Sequence, residues 1–266
     1  MDYSKHFTDH TDYEAYINSS VFLTPSLDVC DKEFGTEVHY HRPPEKYVTC
    51  IYDVSTTAIN TLLMNNTTYN SLSFVKTMWI DDVEVTKSAS YKFSTTGKHT
   101  VIYDISLNQS NNSLPMCFNG CAALEEITIP NKCTALHSSG TTFTNCYSLR
   151  KINNIHKDFR PMPSLNGDDF CYSSIEYIKI PDEVEGADSR RNCNAVIDTS
   201  KNEIIIGTPH TVIPGDVSSV GYCSFQGRKE LTNLIIPKNI KLLSNTALSD
   251  TGLTSVHIPG TCKTIN

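Results

Sequence analysis

Apolar and polar residues alternate in short stretches that recur along the second half of the chain. Residues 117–130 read CFNGCAALEEITIP and residues 224–237 read SFQGRKELTNLIIP. Related stretches are TFTNCYSLRKINNI at 142–155, FCYSSIEYIKIP at 170–181 and LSDTGLTSVHIP at 248–259. A pattern that recurs with similar spacing indicates a repeated structural unit, and such a unit determines the whole fold.

Each copy places apolar residues at similar steps ahead of a proline. A phenylalanine or leucine begins the copy, an aliphatic residue follows five or six positions later, and in most copies two further aliphatics precede the proline. The apolar-x-apolar-Pro piece has the alternation of a short β-strand that ends at the proline. The residues that we predict to form the repeat core are Phe118, Leu124, Ile127, Ile129, Phe143, Leu149, Phe225, Leu231, Leu234 and Ile236.

After each proline, apolar residues return at the third and sixth positions, which predicts an irregular or 3-10-like return rather than a long helix. A unit of about 23 to 27 residues cannot bury its apolar side alone, but stacked units can, with their short strands in one parallel sheet. The predicted fold class is therefore mainly β, with a right-handed leucine-rich-repeat solenoid over 111–266. The long step from Phe170 to Phe225 predicts an inserted hairpin near 195–207.

The segment FxGCxxLxxIxIPxxC at Phe118–Cys133 resembles the BspA-type leucine-rich repeat, a family of surface and secreted proteins of Bacteroidetes and some parasitic protists. The resemblance extends from about Pro115 to Asn266, and 192–221 resembles a hairpin-bearing repeat of that family. It implies a non-enzymatic protein of adhesion or recognition. One copy departs from the pattern, because no proline follows Ile155.

Residues 46–110 contain several strand-like runs separated by turn residues. The predicted strands are Tyr47–Val54, Ser73–Ile80, Val83–Thr86, Tyr91–Ser94 and His99–Ile105. They predict a small β-sandwich-like module, or a cap that covers the first apolar edge of the solenoid, with Trp79 in its core. The stretch also resembles the β-rich domain that often precedes BspA-type repeats.

Residues 1–45 are predicted to form an N-terminal anchoring or leader segment that ends near Pro43–Pro44. Their layout resembles leaders of proteins from Bacteroides and from the phages that infect them. His39 and His41 alternate on one predicted strand, so both side chains could reach a metal from one face, but no third ligand is placed. We therefore interpret them as structural or surface histidines, and predict no metal site and no cofactor.

The residues between the core aliphatics of each strand should point to solvent and form a binding face. The first predicted row is Glu126, Lys151, Tyr177, Asn233 and Ser255. The second predicted row is Thr128, Asn153, Lys179, Ile235 and His257. Stacking would place neighbours about 5 Å apart. This mixture of charge, amide, aromatic and hydroxyl groups suits recognition of protein or glycan. The alternative is a solvated face without a ligand.

Composition excludes several classes of function. The formal net charge of -7 argues against nucleic-acid binding, and we predict that the pairs Arg150–Lys151, Arg190–Arg191 and Arg228–Lys229 are solvated. No run of about 18 apolar residues is present, so no membrane span is predicted. The N-terminus as written shows no secretory signal. Without a GxSxG, an HExxH or a phosphate-binding glycine loop, we predict no catalytic residues and no enzymatic activity.

The chain contains 10 cysteines, which could indicate a disulfide framework. Cys121 and Cys146 share a repeat position with Ser173, Arg228 and Thr251. Elsewhere, cysteine alternates with valine and isoleucine, as expected of a small buried apolar residue. We therefore predict free thiols and a reducing compartment. No pair has the C-x-x-C spacing common in zinc sites.

These observations favour a recognition or attachment protein. The first hypothesis is a phage virion component (fibre, tail or decoration protein) made in the host cytoplasm, whose partners are other virion proteins and a host protein or glycan. The alternatives are a bacterial cell-surface adhesin and a purely structural subunit. Because the sequence stops at Ile265–Asn266 without a polar cap, we expect a partner chain there, in a homo-oligomer or larger assembly, or a longer chain.

Overall fold

The structure, a computed structural model, describes residues 46–107, 112–137, 139–158 and 167–265. These residues form strands and turns, and no α-helix occurs among them. Within the described ranges, three 3-10 helices lie at Ser71–Phe74, Gly167–Phe170 and Arg190–Asn192. None of these helices has the length and apolar character that crossing a membrane requires. The mainly β fold predicted from the sequence is confirmed.

Eight strands belong to the first part of the described chain. They are β1 (Val48–Val54), β2 (Thr61–Leu62), β3 (Val75–Ile80), β4 (Val83–Val85), β5 (Ser90–Tyr91), β6 (Gly97–Ile105), β7 (Leu124–Thr128) and β8 (Lys151–Asn153). Six of them form a sheet in the order β4-β3-β6-β1-β7-β8, and β2 pairs with β5 in a small sheet of its own. The strand predicted from Ser73 begins at Val75, because the 3-10 helix Ser71–Phe74 precedes it.

The N-terminal strands cover the first repeat by main-chain pairing. β1 runs antiparallel to β7, with Cys50 opposite Ile127, and pairs on its other side with β6. The edge of β7 is thereby paired within one continuous sheet and is not left exposed. The prediction that Trp79 is a core residue is wrong. Met78 and Ile80 enter the core, whereas Trp79 between them is half-buried and packs edge-on against Tyr47 at 5.8 Å.

The repeat unit turns a sharp corner at its first aromatic residue. Phe118, Phe143, Phe170 and Phe225 are buried, and the first three rings pack in a column with centroid distances of 5.9 and 5.5 Å. Two positions after each corner residue, the backbone has a positive φ, which glycine, asparagine and aspartate adopt most easily. The residues with this conformation are Gly120, Asn145, Tyr172, Gly227 and Asp250. The corner therefore explains the recurring Phe-x-Gly/Asn motif.

The same hydrogen bond recurs between each pair of successive corners. The amide of the positive-φ residue donates to the carbonyl of the residue after the next corner aromatic. These bonds are Gly120 N to Thr144 O at 2.9 Å, Asn145 N to Cys171 O at 2.9 Å, Tyr172 N to Gln226 O at 3.2 Å and Gly227 N to Ser249 O at 3.0 Å. The coils that begin at Phe118, Phe143, Phe170, Phe225 and Leu248, here called the first to fifth coils, therefore stack in that order.

Each proline begins a turn that redirects the chain into its return segment. The amide three residues later donates to the proline carbonyl at Pro130, Pro181, Pro214, Pro237 and Pro259. Four of the five return segments then contain a two-residue strand where we predicted an irregular or 3-10-like path, whereas the segment after Pro130 has only an isolated bridge at Ala135. These strands are β9 (Ala187–Asp188), β12 (Ser219–Val220), β13 (Leu242–Leu243) and β14 (Thr264–Ile265).

A hairpin of β10 (Ala195–Asp198) and β11 (Glu203–Gly207) interrupts the repeats. The second sheet has the order β14-β13-β12-β11-β10-β9, and its parallel ladder starts from β11. Parallel strands are present as predicted, but they lie in two sheets instead of one. Both faces of the hairpin are buried: Val196 and Ile206 pack into the N-terminal core cluster, whereas Ile197 and Ile204 pack into the C-terminal one. This explains its uninterrupted apolar runs.

The predicted repeat core is buried, and one basic residue joins it. Each of the ten predicted core residues is at most 6% exposed. Arg228 is fully buried, so the prediction that Arg228–Lys229 is a solvated pair is wrong for its first member. The neighbouring Lys229 side chain is 66% exposed and lies near Asp250. A fully buried arginine needs several acceptors, which the corner carbonyls supply.

The thiols follow the sequence prediction as far as the structure describes them. All nine described cysteines are free, and all but Cys262 are buried. Burial raises the pKa of Cys121 and Cys146 far above the ordinary range, and it raises the pKa of Cys133 to about 12. These thiols are therefore protonated and poorly reactive at neutral pH.

Candidate binding face

Main-chain pairing holds the predicted rows in register over the first three coils. In the parallel pair β7–β8, Glu126 lies beside Lys151 and Thr128 lies beside Asn153. A parallel bridge places Tyr177 beside Lys151. Residues that are neighbours across strands present their side chains on the same face of a sheet. The structure thus brings these five residues together in two adjacent columns.

The same columns continue onto the N-terminal strands. In the antiparallel pair β1–β7, Ile51 lies opposite Glu126 and Thr49 lies opposite Thr128. Both β1 residues are half-buried. The sequence prediction missed this extension, because it assigned β1 to a separate module and the pairing partner of β7 carries no signal in the repeat pattern.

A polar groove of about 500 Å³ opens between the second and third coils. The predicted face residues Lys151, Asn153, Tyr177 and Lys179 line it. Two carboxylates that the sequence prediction missed, Asp182 and Glu183, also line it, because the turn after Pro181 brings them beside the strand positions. Ammonium, amide, phenol and carboxylate groups surrounding one groove can bind a ligand that both donates and accepts hydrogen bonds.

Two grooves of different character lie farther along the stack, from the short copy that ends at Pro214 to the fifth coil. One of about 530 Å³ is lined by Ile235, His257 and residues around Pro237 and Pro259. Another of about 240 Å³ lies between Val212 and Ile235 and includes Asn233. Val212 is 73% exposed and Ile235 is 77% exposed, which is unusual for large aliphatic side chains in neighbouring coils.

Val212 was missed by the sequence prediction, although its signal was present. In the short copy HTVIP, Val212 precedes Ile213 and Pro214 as Ile235 precedes Ile236 and Pro237. Val212 therefore belongs to the second row. Ser255, by contrast, is exposed but lines none of these grooves, and no strand forms on this side of the fourth and fifth coils.

Charged groups beside the face are partly neutralised by one another. Lys98 Nζ donates to Glu125 Oε1 at 3.0 Å, and this hydrogen bond raises the pKa of Lys98. Arg150 pairs with Glu176. Within the described ranges, no ion pair involves Lys151, Lys179 or the two groove carboxylates. As far as the described residues go, these charges are available to a ligand.

The predicted histidine pair is not among the residues predicted for the binding face. His39 and His41 fall among residues that the structure does not describe, so their interpretation as structural or surface histidines stays a prediction. The same holds for the leader segment 1–45.

Comparisons with known proteins agree with the repeat geometry. The profile of the BspA type leucine rich repeat region matches in six copies over residues 64–195 and 207–266. The gap between the two matched ranges coincides with the hairpin β10–β11, and the match begins at residue 64, earlier than the start near Pro115 that the pattern indicated. No curated protein matches the chain.

One solved structure found by the comparison is a crystal structure of a leucine-rich repeat protein from Eubacterium ventriosum. Its sequence identity is 15% over 55% of this chain, with a TM-score of 0.35. The matched region spans about half of that protein's chain, 51% of its length. Because the repeat profile covers well over half of the sequence, the chain belongs to the BspA-type leucine-rich repeat family.

Proposed function

We propose that this protein is a non-enzymatic recognition or attachment protein that binds a protein or glycan through the two rows of its repeat face. The observation that carries the proposal is the exposure of Tyr177, Val212 and Ile235 beside grooves on that face. Large side chains in contact with solvent lose their apolar hydration cost when a partner covers them. Aromatic anchors at the centre of such a patch supply much of the affinity in known interfaces.

The two ends of the face suit different parts of one ligand surface. The polar groove offers amide and charged groups that can bond to hydroxyl, amide or carboxylate groups. The aliphatic grooves around Ile235 offer apolar contact without a directional requirement. A polar region beside an apolar region is typical of protein and glycan recognition surfaces. Family membership supports a binding role for the repeats in the same way.

Removing one aromatic side chain tests the binding face. We expect Tyr177→Ala to weaken binding about 30-fold, because truncation of a central aromatic anchor costs about 2 kcal/mol or more. Tyr147→Ala is the matched control, since Tyr147 is also 55% exposed but lies outside both rows. Purified full-length protein and both variants would be applied to a glycan array and to immobilised bacterial envelope fractions, followed by titration of each hit.

The two tyrosine variants separate the possible outcomes. Loss of binding for Tyr177→Ala with retention for Tyr147→Ala supports the face. Equal binding by both variants to every hit would show that recognition occurs elsewhere. The alternative of a purely structural subunit predicts no hit, together with a partner chain cross-linked to Lys151 or Lys179 in the native assembly.

We further propose that the protein is a structural component of a phage virion, with residues 1–45 as the anchor. The free buried thiols of the described residues support assembly in a reducing cytoplasm. The alternative is a bacterial cell-surface adhesin. Mass spectrometry of purified particles and of envelope fractions from the producing culture distinguishes the two. Stoichiometric presence in particles supports the virion, and presence in the envelope alone would exclude it.

A further inference from the structure

Two positions of the repeat lie on either side of every corner aromatic in the sequence. One lies two residues before the corner aromatic and the other lies one residue after it. In the first two coils and the fifth, these positions hold Met116 with Asn119, Thr141 with Thr144, and Thr246 with Ser249. In the third coil they hold Asp168 and Cys171, and in the fourth coil Cys223 and Gln226. Stacking of these two coils therefore produces an array of two thiols, one carboxylate and one amide.

The four groups meet in the structure. The ligand atoms of Asp168, Cys171 and Cys223 all lie within 4.8 Å of one another. Cys171 Sγ is 3.8 Å from Asp168 Oδ1 and 3.2 Å from Gln226 Oε1. In a tetrahedral site with zinc–sulfur bonds of about 2.3 Å, ligand atoms lie about 3.8 Å apart. The array thus approaches the ligand spacing of a tetrahedral cation site.

The surroundings hold the array in place. Cys171 is 5% exposed and Cys223 is 2% exposed, so solvent has little access to either thiol. Gln226 Nε2 donates to Tyr172 Oη at 3.1 Å, and Tyr172 in turn donates to Asp250 at 2.8 Å. This chain fixes the amide with its oxygen toward Cys171. Outer hydrogen bonds that orient a ligand in this way are typical of metal sites.

Charge supplies an independent argument. The guanidinium of Arg228 is fully buried and donates to four main-chain carbonyls, those of Phe170, Ser173, Gly207 and Gln226. In the part of the chain that the structure describes, it donates to no carboxylate. Its Nη2 has no hydrogen-bond partner among the described residues. A divalent cation with two thiolates and one carboxylate would carry one net negative charge, and so would balance the buried arginine.

We propose that Cys171, Cys223 and Asp168 bind a zinc-class divalent cation, with Gln226 Oε1 as the fourth ligand. Two thiolates favour a borderline-soft ion such as Zn²⁺ over Mg²⁺ or Ca²⁺. Each thiol gives up its proton to solvent when the ion binds, so affinity rises with pH. The ion joins the third and fourth coils, whose ligands Cys171 and Gln226 are 55 positions apart. It therefore strengthens the stack where the hairpin interrupts it, independently of any ligand on the binding face.

Cobalt is the probe for the site, because Co²⁺ bound to thiolates absorbs in the near ultraviolet and tetrahedral Co²⁺ absorbs in the visible. Full-length protein, purified with reductant and stripped with a chelator, would be titrated with Co²⁺ and then with Zn²⁺. We expect one ion per chain, release of two protons, displacement of Co²⁺ by Zn²⁺ and an increase in Tm. The variants are Cys171→Ser and Cys223→Ser, and the control is Cys193→Ser, at a thiol that is also 2% exposed but lies outside the array.

Each cysteine variant of the array keeps one thiolate, so its thiolate band should be weaker than that of the native chain. Loss of an outer-shell partner typically weakens metal binding roughly 10–100-fold, and loss of a direct ligand should weaken Co²⁺ binding by more than that. The Cys193→Ser control should bind as the native chain does. Asp168→Asn keeps both thiols, so it should retain the thiolate band with weaker binding, and it tests the site if a serine variant fails to fold. No binding by the reduced native chain would overturn the proposal. So would binding that survives both serine substitutions, or a Cys171–Cys223 disulfide whose reduction leaves no affinity.

Discussion

Arg228→Ala should lower the free energy of unfolding by about 3–5 kcal/mol. The substitution removes donors from the carbonyls of Phe170, Ser173 and Gly207, and each buried acceptor left without its donor costs about 1–3 kcal/mol. It also opens a cavity where the side chain is fully enclosed. Urea denaturation followed by circular dichroism measures the change.

An arginine occupies this position because the hairpin interrupts the stack of coils. At the equivalent position of other coils, a short side chain bonds to a corner carbonyl. Cys146 Sγ donates to Phe118 O at 3.0 Å, and Ser173 Oγ donates to Phe170 O at 2.8 Å. Between the third and fourth coils, the hairpin adds the carbonyl of Gly207 as a further acceptor. A short side chain would not reach both this carbonyl and the corner carbonyl. Arg228 donates to that carbonyl through Nε at 3.1 Å and to Phe170 O through Nη1 at 2.8 Å.

The neighbouring residue supplies the matched control for this substitution. Lys229→Ala also removes a positive charge, but the side chain is 66% exposed and its ion pair with Asp250 spans 3.9 Å, so we expect a change below about 0.5 kcal/mol. Arg228→Met separates packing from hydrogen bonding, because it fills much of the volume without donors. Burial lowers the pKa of Arg228 to about 10, which shows that the buried charge has a cost. If Arg228→Ala is no more destabilising than Lys229→Ala, the bridging role is wrong.

The repeat core could be predicted because each position is sampled several times. Phe118, Phe143 and Phe225 occur at one step of the pattern, and a single physical cause, the buried corner, accounts for all three. The alignment of Glu126, Lys151 and Tyr177 could be predicted for the same reason, since parallel pairing keeps them side by side. Because each position recurs, the local sequence of a repeat is sufficient to predict its local structure.

Features that arise once could not be predicted from that pattern. The burial of Arg228 depends on a carbonyl from a hairpin that lies 21 positions away. In the second sheet the parallel strands lie in the return segments and not before the prolines. This placement depends on β11, whose edge pairs with β12. The array of Cys171 and Cys223 combines two coils, so no C-x-x-C spacing marks it. In each case the cause is a contact that occurs at one place in the stack.

Gly207→Ala should destabilise the protein by about 3 kcal/mol, at the upper end of the range for overpacking a core. A Cβ atom at this position would lie 2.1 to 2.5 Å from three ring atoms of Phe225, which is fully buried. Gly207 also donates its amide to Ser224 O at 2.8 Å, so the strand cannot move away without losing that bond. We expect a lower urea midpoint. Gly215→Ala is the control, since its Cβ meets nothing within 4 Å, and the lower entropy of the unfolded chain should stabilise it by up to about 1 kcal/mol.

A second substitution identifies the clash as the cause. The fifth coil has Leu248 at the corner position that Phe225 occupies in the fourth, so Phe225→Leu is compatible with the corner. If the ring is what the new methyl group meets, Gly207→Ala combined with Phe225→Leu should cost clearly less than the sum of the two single changes. Residues in contact typically couple by about 0.5–3 kcal/mol in such a cycle. Additive costs would mean that Gly207 is needed for its backbone conformation alone. The close approach of the hairpin to the corner would then not explain how the two halves of the stack are joined.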